Sequence, residues 1–524
     1  MANRFRRSAS HDYELLPRLS ADSNDFAVVE RHVSSPSWAS RLAHKFGIRH
    51  PSAYAHFITP RRRKRSVART ICWGLLTAPL IFVFLFLFWA IFFPSYTHYP
   101  AHYEELRERS LSSIEPGRAN VYNEKIFIAA TIYEENGELT SGPWGQSVLD
   151  LVDLIGPENT YLSIYENNPD DGTRLSLLNY RERTPCNHTI AYEDLDLGTL
   201  PRVALPNGET RLKRITFLAE VRNRALMPID SIGVAYDRVL YINDVNFDPI
   251  EAAQLLFSTH IDANGRADYG AACAVDFINP FKFYDRFATR DLDGYTMGIP
   301  FFPWFTSGGT STSRDETMAG SDAVPVRSCW GGMTAFEGKW FQKSISPAPA
   351  IPEAAKAYSP LRFRYEDATF WEASECCLIH ADLQYLRSGQ GMPAESGVYM
   401  NPFIRVAYDP GTLSWLSLSR RPERLYAPIH DFLNKRVKFP SYNDRQLEEP
   451  GQEYVHTIWQ YDHPKKAFLD GATADDMAGA WVEEKTVAGP GGFCGGRNLL
   501  VINEHPREGE SHWGKIKPPA PPRR

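Results

Sequence analysis

The stretch from Arg238 to Pro249 reads RVLYINDVNFDP. An apolar strand runs without a break into Asn243, Asp244 and Asn246, so a carboxylate stands between two amides where a buried strand would end. Oxygen ligands of this kind suit a hard divalent cation. A cation that also held a diphosphate would stabilise negative charge on a departing nucleotide. Upstream, RITFLAEVRNRALMPI (Arg214–Ile229) reads as an amphipathic helix carrying Arg222 and Asn223, and a guanidinium is well matched to phosphate. Glu166, at the end of TYLSIYEN, is placed to accept ribose hydroxyls. Together these groups point to transfer from a nucleotide-activated donor and away from hydrolysis by a nucleophilic triad. Each also has a plainer reading: Asp-x-Asn is commonly a turn or a cap, and an Arg on a helix commonly pairs at the surface.

The elements that must position them follow from the hydrophobic pattern. EKIFIAATIY (Glu124–Tyr133) is a run fit for a buried strand. SVLDLVDLIG (Ser147–Gly156) repeats its apolar residues at helical spacing and stops at Gly156-Pro157. TYLSIYEN, the Arg214–Ile229 helix and RVLYIND continue the alternation, which predicts a parallel sheet with right-handed crossovers. In such sheets ligands collect beyond the carboxyl ends of the strands, where Glu166 and Asp244 would lie. IEAAQLLFSTH reads as a further helix, and beyond it the chain turns loop-rich and aromatic. From about Pro440 it is polar, rich in Gly and Pro and weakly periodic, without internal repeats.

The whole chain of 524 residues carries a net charge of −6. Residues 1–70 hold 14 Lys and Arg against 5 Asp and Glu, so the remainder is strongly acidic. That argues against a nucleic-acid-binding body. The basic end precedes Ile71–Phe93, a run of 23 residues without charge. As a helix it would extend roughly 34 Å at about 1.5 Å per residue, against a bilayer core of about 30 Å. RRRKRSVAR (Arg61–Arg69) directly before it sets the N-terminus on the cytosolic side. The expected organisation is a mostly disordered cytosolic tail over 1–70, a signal anchor over 71–93, a stem over 94–122, a catalytic domain over 123–440 and a partly irregular extension over 441–524. Two features agree with a lumenal body: Asn187-His188-Thr189 is an acceptor for N-glycosylation, and six of the seven cysteines follow the apolar run, an even number that permits disulfides.

The ordered segments ITFLAEVRNRAL, VLYINDVNF, ACAVDF, FYDRFATRDLDG, VRSCWGGMTAFEG and ASECCLIHADL resemble the fungal alpha-1,3-mannosyltransferase family of capsule-associated proteins, over about residues 123–390. The resemblance implies a GT-A-like nucleotide-diphospho-sugar transferase fold, a Rossmann-like mixed α/β sheet flanked by helices. It implies GDP-mannose as donor, a glycan hydroxyl as acceptor, a divalent metal such as Mn2+, retention of configuration and a type II Golgi membrane location. Asn243-Asp244-Val245-x-Phe247 matches the family's counterpart of the Asp-x-Asp metal motif. Asn246 falls at its variable position, so Asp244 ranks ahead of Asn246 and Asn243 as a ligand.

Arg222-Asn223 matches the family's helix near the diphosphate, and Asp276, Asp291 and Glu375 match acidic positions that bind acceptor or donor sugar. Against those roles, Arg290-Asp291 can be read as a simple ion pair. Trp330-Gly331-Gly332 matches a loop over the sugar, glycine admitting close approach of backbone. His380 is a candidate late metal ligand, since neutral imidazole binds manganese-like ions, although a lone histidine is more commonly a core residue. The resemblance also implies disulfides among Cys273, Cys329, Cys376 and Cys377, with the pairing open. The rival to a transferase is a catalytically silent lumenal scaffold of the same fold that binds glycan, for which the absent second aspartate speaks. GPGGFCGG (Gly489–Gly496) lacks the Lys-Ser/Thr of a phosphate loop, and DANGRAD (Asp262–Asp268) lacks the later acid of an EF-hand. Both read as ordinary loops.

Overall fold

The computed structural model describes residues 67–204, 210–343, 349–389, 395–441, 443–461, 479–504 and 510–519. The basic tail over 1–66 lies outside the described residues. The described chain divides at Phe88 into two units, the body beginning at Trp89. The apolar run forms helix α1 (Val67–Phe92) with Pro79 inside it, and Leu80, Phe84 and Ile91 along it are exposed. Among the described residues, which leave out the side chains of 67–72 and 75, no helix is long and apolar enough to cross a membrane.

Residues 94–122 are built into the body. Helix α2 (Ala101–Ser112) buries Tyr103 and Leu106 in the main core, together with Tyr96 ahead of it. Tyr103 Oη also accepts from Asn401 Nδ2 at 2.7 Å, so the helix is held by packing and by a polar contact with a strand far along the chain.

The sheet starts with β1 (Ile126–Ile132), β2 (Thr160–Asn167), β3 (Asn187–Glu193) and β4 (Arg238–Ile242). β1 pairs parallel with β2 and β4, and β2 pairs parallel with β3. β1 and β4 are buried at every residue, as unbroken apolar strands covered on both faces must be. The crossovers are α3 (Pro143–Ile155), α4 (Asp171–Arg183) and α5 (Arg214–Leu226). α3 starts four residues before the apolar periodicity suggests because Pro143 occupies its first turn, where no amide donor is needed. It stops at Gly156, whose φ of 98° ends the helix. α4 and β3 have no counterpart in the hydrophobic pattern. The helix is mostly polar and is started by Asp170, whose carboxylate accepts from Thr173 N, and β3 is a half-exposed edge strand.

Helix α6 (Pro249–Phe257) follows β4 directly. The second half of the sheet consists of β5 (Ala271–Asn279), β6 (Lys282–Phe283), β7 (Arg290–Asp291), β8 (Val324–Ser328), β9 (Met333–Glu337) and β10 (Val398–Ala407). The strand order is β3-β2-β1-β4-β9-β5-β10-β8-β7, with β6 on β5. β9 runs antiparallel to both β4 and β5, so the architecture is a mixed α/β sheet with a parallel half and a second half of mixed direction. Helix α7 (Thr312–Ala319) precedes β8, and α8 (Glu375–Ser388), from the ASECCLIHADL segment, is buried over nearly its whole length.

The C-terminal region returns to the body. Glu372–Ala373 pairs with Gly495–Gly496, and two hairpins, Glu453–Tyr461 with Gly479–Val487 and Leu499–Ile502 with Trp513–Ile516, account for its described strands. Phe370, Leu499 and Val501 form a second small core beside Trp459 and Trp481. The disulfides are Cys273–Cys329 and Cys377–Cys494. Cys376 stays a buried thiol, and the partner of Cys377 comes from outside the four cysteines of the resemblance. Two adjacent cysteines on one helix point to different sides, so Cys377 reaches the C-terminal loop and Cys376 does not. Closing a loop of 117 residues restricts the unfolded chain by about 4–5 kcal/mol in the chain-entropy picture. Cys494→Ser is therefore expected to lower the urea midpoint of the body, and an unchanged midpoint would show that the C-terminal region adds nothing to its stability.

Candidate active site

Four polar residues follow β4, and the structure gives each a distinct place. Asn243 turns inward: its Oδ1 accepts from Arg222 Nη1 at 3.1 Å and Trp330 Nε1 at 3.3 Å, and its backbone oxygen accepts from Trp144 Nε1 at 2.9 Å. Asn246 forms a backbone bridge with Ala407 at the end of β10, and its side-chain amide also donates to the Ala407 oxygen, at 3.4 Å. Asp248 caps α6, accepting from Ile250 N and Glu251 N. Asp244 stays half-buried at the carboxyl edge of the parallel strands. It lies within electrostatic reach of Tyr408, whose hydroxyl is pushed up by burial and then by Asp276, Tyr284, Asp244 and Asp285.

Behind Asp244 is a pair of buried acids. Asp276 on β5 accepts from Tyr408 Oη and from Asp285 N, both at 3.0 Å. Asp285 accepts from Ala288 N at 3.0 Å and Gly331 N at 3.4 Å. Burial is the largest cause pushing both carboxyls up, and the charge of Asp285 adds to the shift of Asp276, which rises to about 8. Burial together with the neighbouring charge keeps Asp276 protonated at neutral pH. Arg290 supplies positive charge to Asp285 while its donors serve four backbone oxygens, those of Phe287, Thr289, Phe493 and Cys494. The C-terminal loop thus holds the cation that faces the buried acids.

The glycine pair sets how closely these parts approach. Gly331 has φ +55°, and a Cβ there would lie 1.9 Å from the Ala274 oxygen. Gly332 has φ +68°, and its Cβ would meet Val245 Cγ1 at 2.6 Å. Its oxygen accepts from Asn243 N at 2.9 Å, so the turn into β9 and the end of β4 are pinned together.

Several expected site residues prove to be interior. Arg222 is buried: its Nε donates to Glu375 Oε1 at 3.0 Å and its guanidinium lies 4.7 Å from the centre of the Trp330 ring. It orders the floor of the site and does not face a phosphate. Trp330 is 1 % exposed, with Arg222 over its ring and Tyr241 and Phe363 against it, so it offers no face to a sugar. Asn223 is spent on the Phe363 backbone, donating at 2.8 Å and accepting at 2.9 Å. Asp276 and Glu375 are buried under the surface, and Asp291 holds a turn by accepting from Tyr295 N at 2.7 Å.

Glu166 is buried at the end of β2, where neither oxygen makes a well-formed hydrogen bond among the described residues and the Glu134 backbone amide is close by. Burial, with Glu134 adding, pushes it up to about 10, so it is a neutral carboxyl. His380 is fully buried, stacks on Phe336 and sets Nε2 4.0 Å from Cys273 Sγ. Cys273, Cys329 and His380 are the one group of three possible ligands that converge among the described residues. Two of those are joined in a disulfide and cannot coordinate, and burial holds His380 neutral, down to about 3. It braces a disulfide and shares no ligand set with Asp244. Asp285 and Tyr408 escaped the sequence reading. Asp285 lay inside FYDRFATRDLDG beside the more prominent Arg290-Asp291, and no linear signal links it to Asp276.

Residues 125–382 match the family model described as cryptococcal mannosyltransferase 1. This stretch belongs to that family. The match supports a glycosyltransferase, and the matched residues include every expected site residue named above. A search of the curated proteins finds no match. Similar solved structures include a mannosyltransferase, PcManGT from Pyrobaculum calidifontis, in complex with GDP-Man and Mn2+, at 12% identity and TM-score 0.31, covering 71% of this chain and 76% of that one. Mannosyl-3-phosphoglycerate synthase from Rubrobacter xylanophilus is similar at 13% identity and TM-score 0.28, covering 76% and 94%. S. aureus TarS 1–349 with UDP-GlcNAc is similar at 10% identity and TM-score 0.27, covering 55% and 60%. Likeness at that level is too loose to transfer a residue or a ligand.

Two measurements check this description. A carboxyl raised on folding binds its proton more tightly in the folded chain. Its contribution is therefore fully present below the ordinary Asp range and is lost as pH rises towards about 8. Asp276→Asn, which is neutral throughout, is expected to flatten the fall of Tm with rising pH across that window; an unchanged slope would mean that Asp276 is ionised in the native body. Arg222→Met strands Glu375 in the interior and is expected to cost about 3–5 kcal/mol by urea unfolding.

Proposed function

We propose that the body transfers mannose from GDP-mannose to a glycan hydroxyl, forming an alpha-1,3 linkage with retention. The observation that carries this reading is Asp244, a half-buried carboxylate at the carboxyl edge of the parallel strands inside the family-matched residues. The mixed sheet, with its parallel half ending at this edge, is consistent with a GT-A-like arrangement. Asp244 is the protein group suited to a divalent cation such as Mn2+, because cations of this kind are commonly held by one or two carboxylates with substrate phosphates completing the shell. Such an ion would neutralise charge on the departing diphosphate.

The chain's own residues supply position. Arg222 and Glu375 hold Asn243, and with it the last turn of backbone before Asp244. The Asp276–Asp285 pair, carrying one proton, limits the negative charge behind Asp244 so that a diphosphate can approach. Tyr408, bonded to Asp276, borders the same edge. Glu166, a neutral carboxyl with no well-formed hydrogen bond among the described residues, has oxygens that ribose hydroxyls would satisfy. A same-face displacement asks little of a protein base, since the leaving phosphate takes the acceptor proton.

The apolar run over 71–93, preceded by Arg61–Arg69, supports a single-pass type II anchor in the Golgi membrane with the body in the lumen. The second reading, a silent glycan-binding scaffold, is favoured by one observation: Asn246 stands where a second aspartate would help hold a metal, and its amide is tied to Ala407. Full-length protein incubated with GDP-mannose, Mn2+ and a mannoside acceptor is expected to transfer mannose, and Asp244→Ala to abolish transfer while leaving Tm near that of the parent. Retention of full activity in Asp244→Ala would remove the metal–diphosphate role. Failure with every nucleotide sugar by a folded protein would favour the scaffold.

A further inference from the structure

The far edge of the parallel sheet carries a feature that sugar transfer does not use. β3 is the edge strand, and its first residue heads Asn187-His188-Thr189, the sole Asn-x-Ser/Thr triplet of the 524 residues. Strand register places Phe127, Tyr161 and Asn187 in one row across β1, β2 and β3. Parallel neighbours in register present their side chains to the same face, and alternate residues along a strand share it. The face that carries Phe127 and Tyr161 therefore also carries Asn187, Thr189 and Ala191.

Phe127 stacks on Tyr161 with ring centres 5.4 Å apart and planes 6° apart, which covers that ring from the β1 side. On the β3 side Tyr161 borders a groove of about 410 Å3, whose lining includes Tyr165, Thr189, Ala191 and the Arg224–Glu193 ion pair. Tyr161 Oη lies 2.7 Å from Thr189 Oγ1, a contact that leans the ring over the strand bearing the triplet. Asn187 itself is exposed. A pyranose has an apolar face of C–H groups and a rim of hydroxyls. A groove with aromatic walls and a charged pair at one end matches both.

We propose that Asn187 carries an N-linked glycan whose first rings fold back into this groove against Tyr161, so that the body seats its own modification. The proposal rests on the lumenal placement of the body given above. The bond forms when Asn187 Nδ2 displaces the diphosphate at the anomeric carbon of a lipid-diphosphate-linked oligosaccharide. The C–O bond to the diphosphate breaks, the N–C bond forms and one amide proton passes to base. Asn187 does not line the groove but lies in register beside Tyr161 and two residues before Thr189, both of which do, so the tether raises the small affinity of a single sugar for an aromatic ring through its effective concentration.

The test uses the full chain expressed in a eukaryotic cell, with protease protection in sealed microsomes and endoglycosidase H digestion of native and of unfolded protein. The expected result is a protected body, a glycan on Asn187 that is absent from Asn187→Gln, and release that is markedly slower from the native than from the unfolded chain. Tyr161→Ala is expected to remove that delay. Ala191→Arg, at an exposed position, fills the groove without touching the core and is expected to do the same. A protected body with Asn187 unmodified, or with a glycan released as fast from native as from unfolded protein, overturns this inference and leaves the topology standing. A body digested in sealed vesicles overturns the topology and this inference together. A free oligomannoside that alters tyrosine fluorescence in Asn187→Gln, while the native glycan of the parent shows no delay, assigns the groove to a glycan from another molecule and overturns self-seating.

Discussion

One buried cation organises the interior of the site. Arg222, on α5, meets Glu375 at the start of α8, Asn243 at the end of β4 and the ring of Trp330 ahead of β9. A guanidinium is planar and offers donors in several directions while its faces accept aromatic rings, so one residue holds a helix from each half of the chain and two strand ends in fixed relation. A lysine has neither the fork nor the plane. With the cation placed there, Asn243 cannot turn outward, and the backbone after β4 leaves Asp244 at the edge. The geometry at the surface is thus decided one layer below it.

The same layer manages charge. Asp276, Asp285 and Glu375 together would place three negative charges in a dry interior, which is costly without compensation. Arg222 offsets Glu375, Arg290 faces Asp285, and a proton kept by Asp276 removes most of the rest. Asp244, half-buried at the edge, keeps contact with solvent. A fully ionised cluster would make this edge of an already acidic body more negative still.

The parallel half of the fold was legible in the sequence because its strands are unbroken apolar runs and its helices are periodic: β1, β2, β4 and α5 fall where the pattern sets them. α4 and β3 were not, because a polar helix started by an Asp170 cap and a half-exposed edge strand leave no hydrophobic signature. The C-terminal hairpins were missed for the same reason. Around the end of β4, residue types gave no sign of depth. Arg222, Trp330 and Glu375 carry chemistry that suits a ligand, yet each is satisfied by the others, and nothing in a linear sequence distinguishes a tryptophan under a guanidinium from one under a sugar. His380 and Asn246 show the same limit: a disulfide and a strand end claim them. Asp285 stayed hidden because its importance comes from proximity to Asp276 across a turn.

The Cys377–Cys494 link sets a boundary that similarity alone would draw in the wrong place. One half-cystine lies within the family-matched residues 125–382 and its partner lies more than a hundred residues beyond them. The helix bearing Tyr103, which is at the heart of the core, precedes the match entirely. A fragment trimmed to the match would lose that tyrosine, the hold on Arg290 by the Phe493 and Cys494 oxygens, and the partner of a half-cystine on α8. The matched stretch and the folding unit of this chain are therefore different lengths, and the surroundings of Asp244 draw on the longer one.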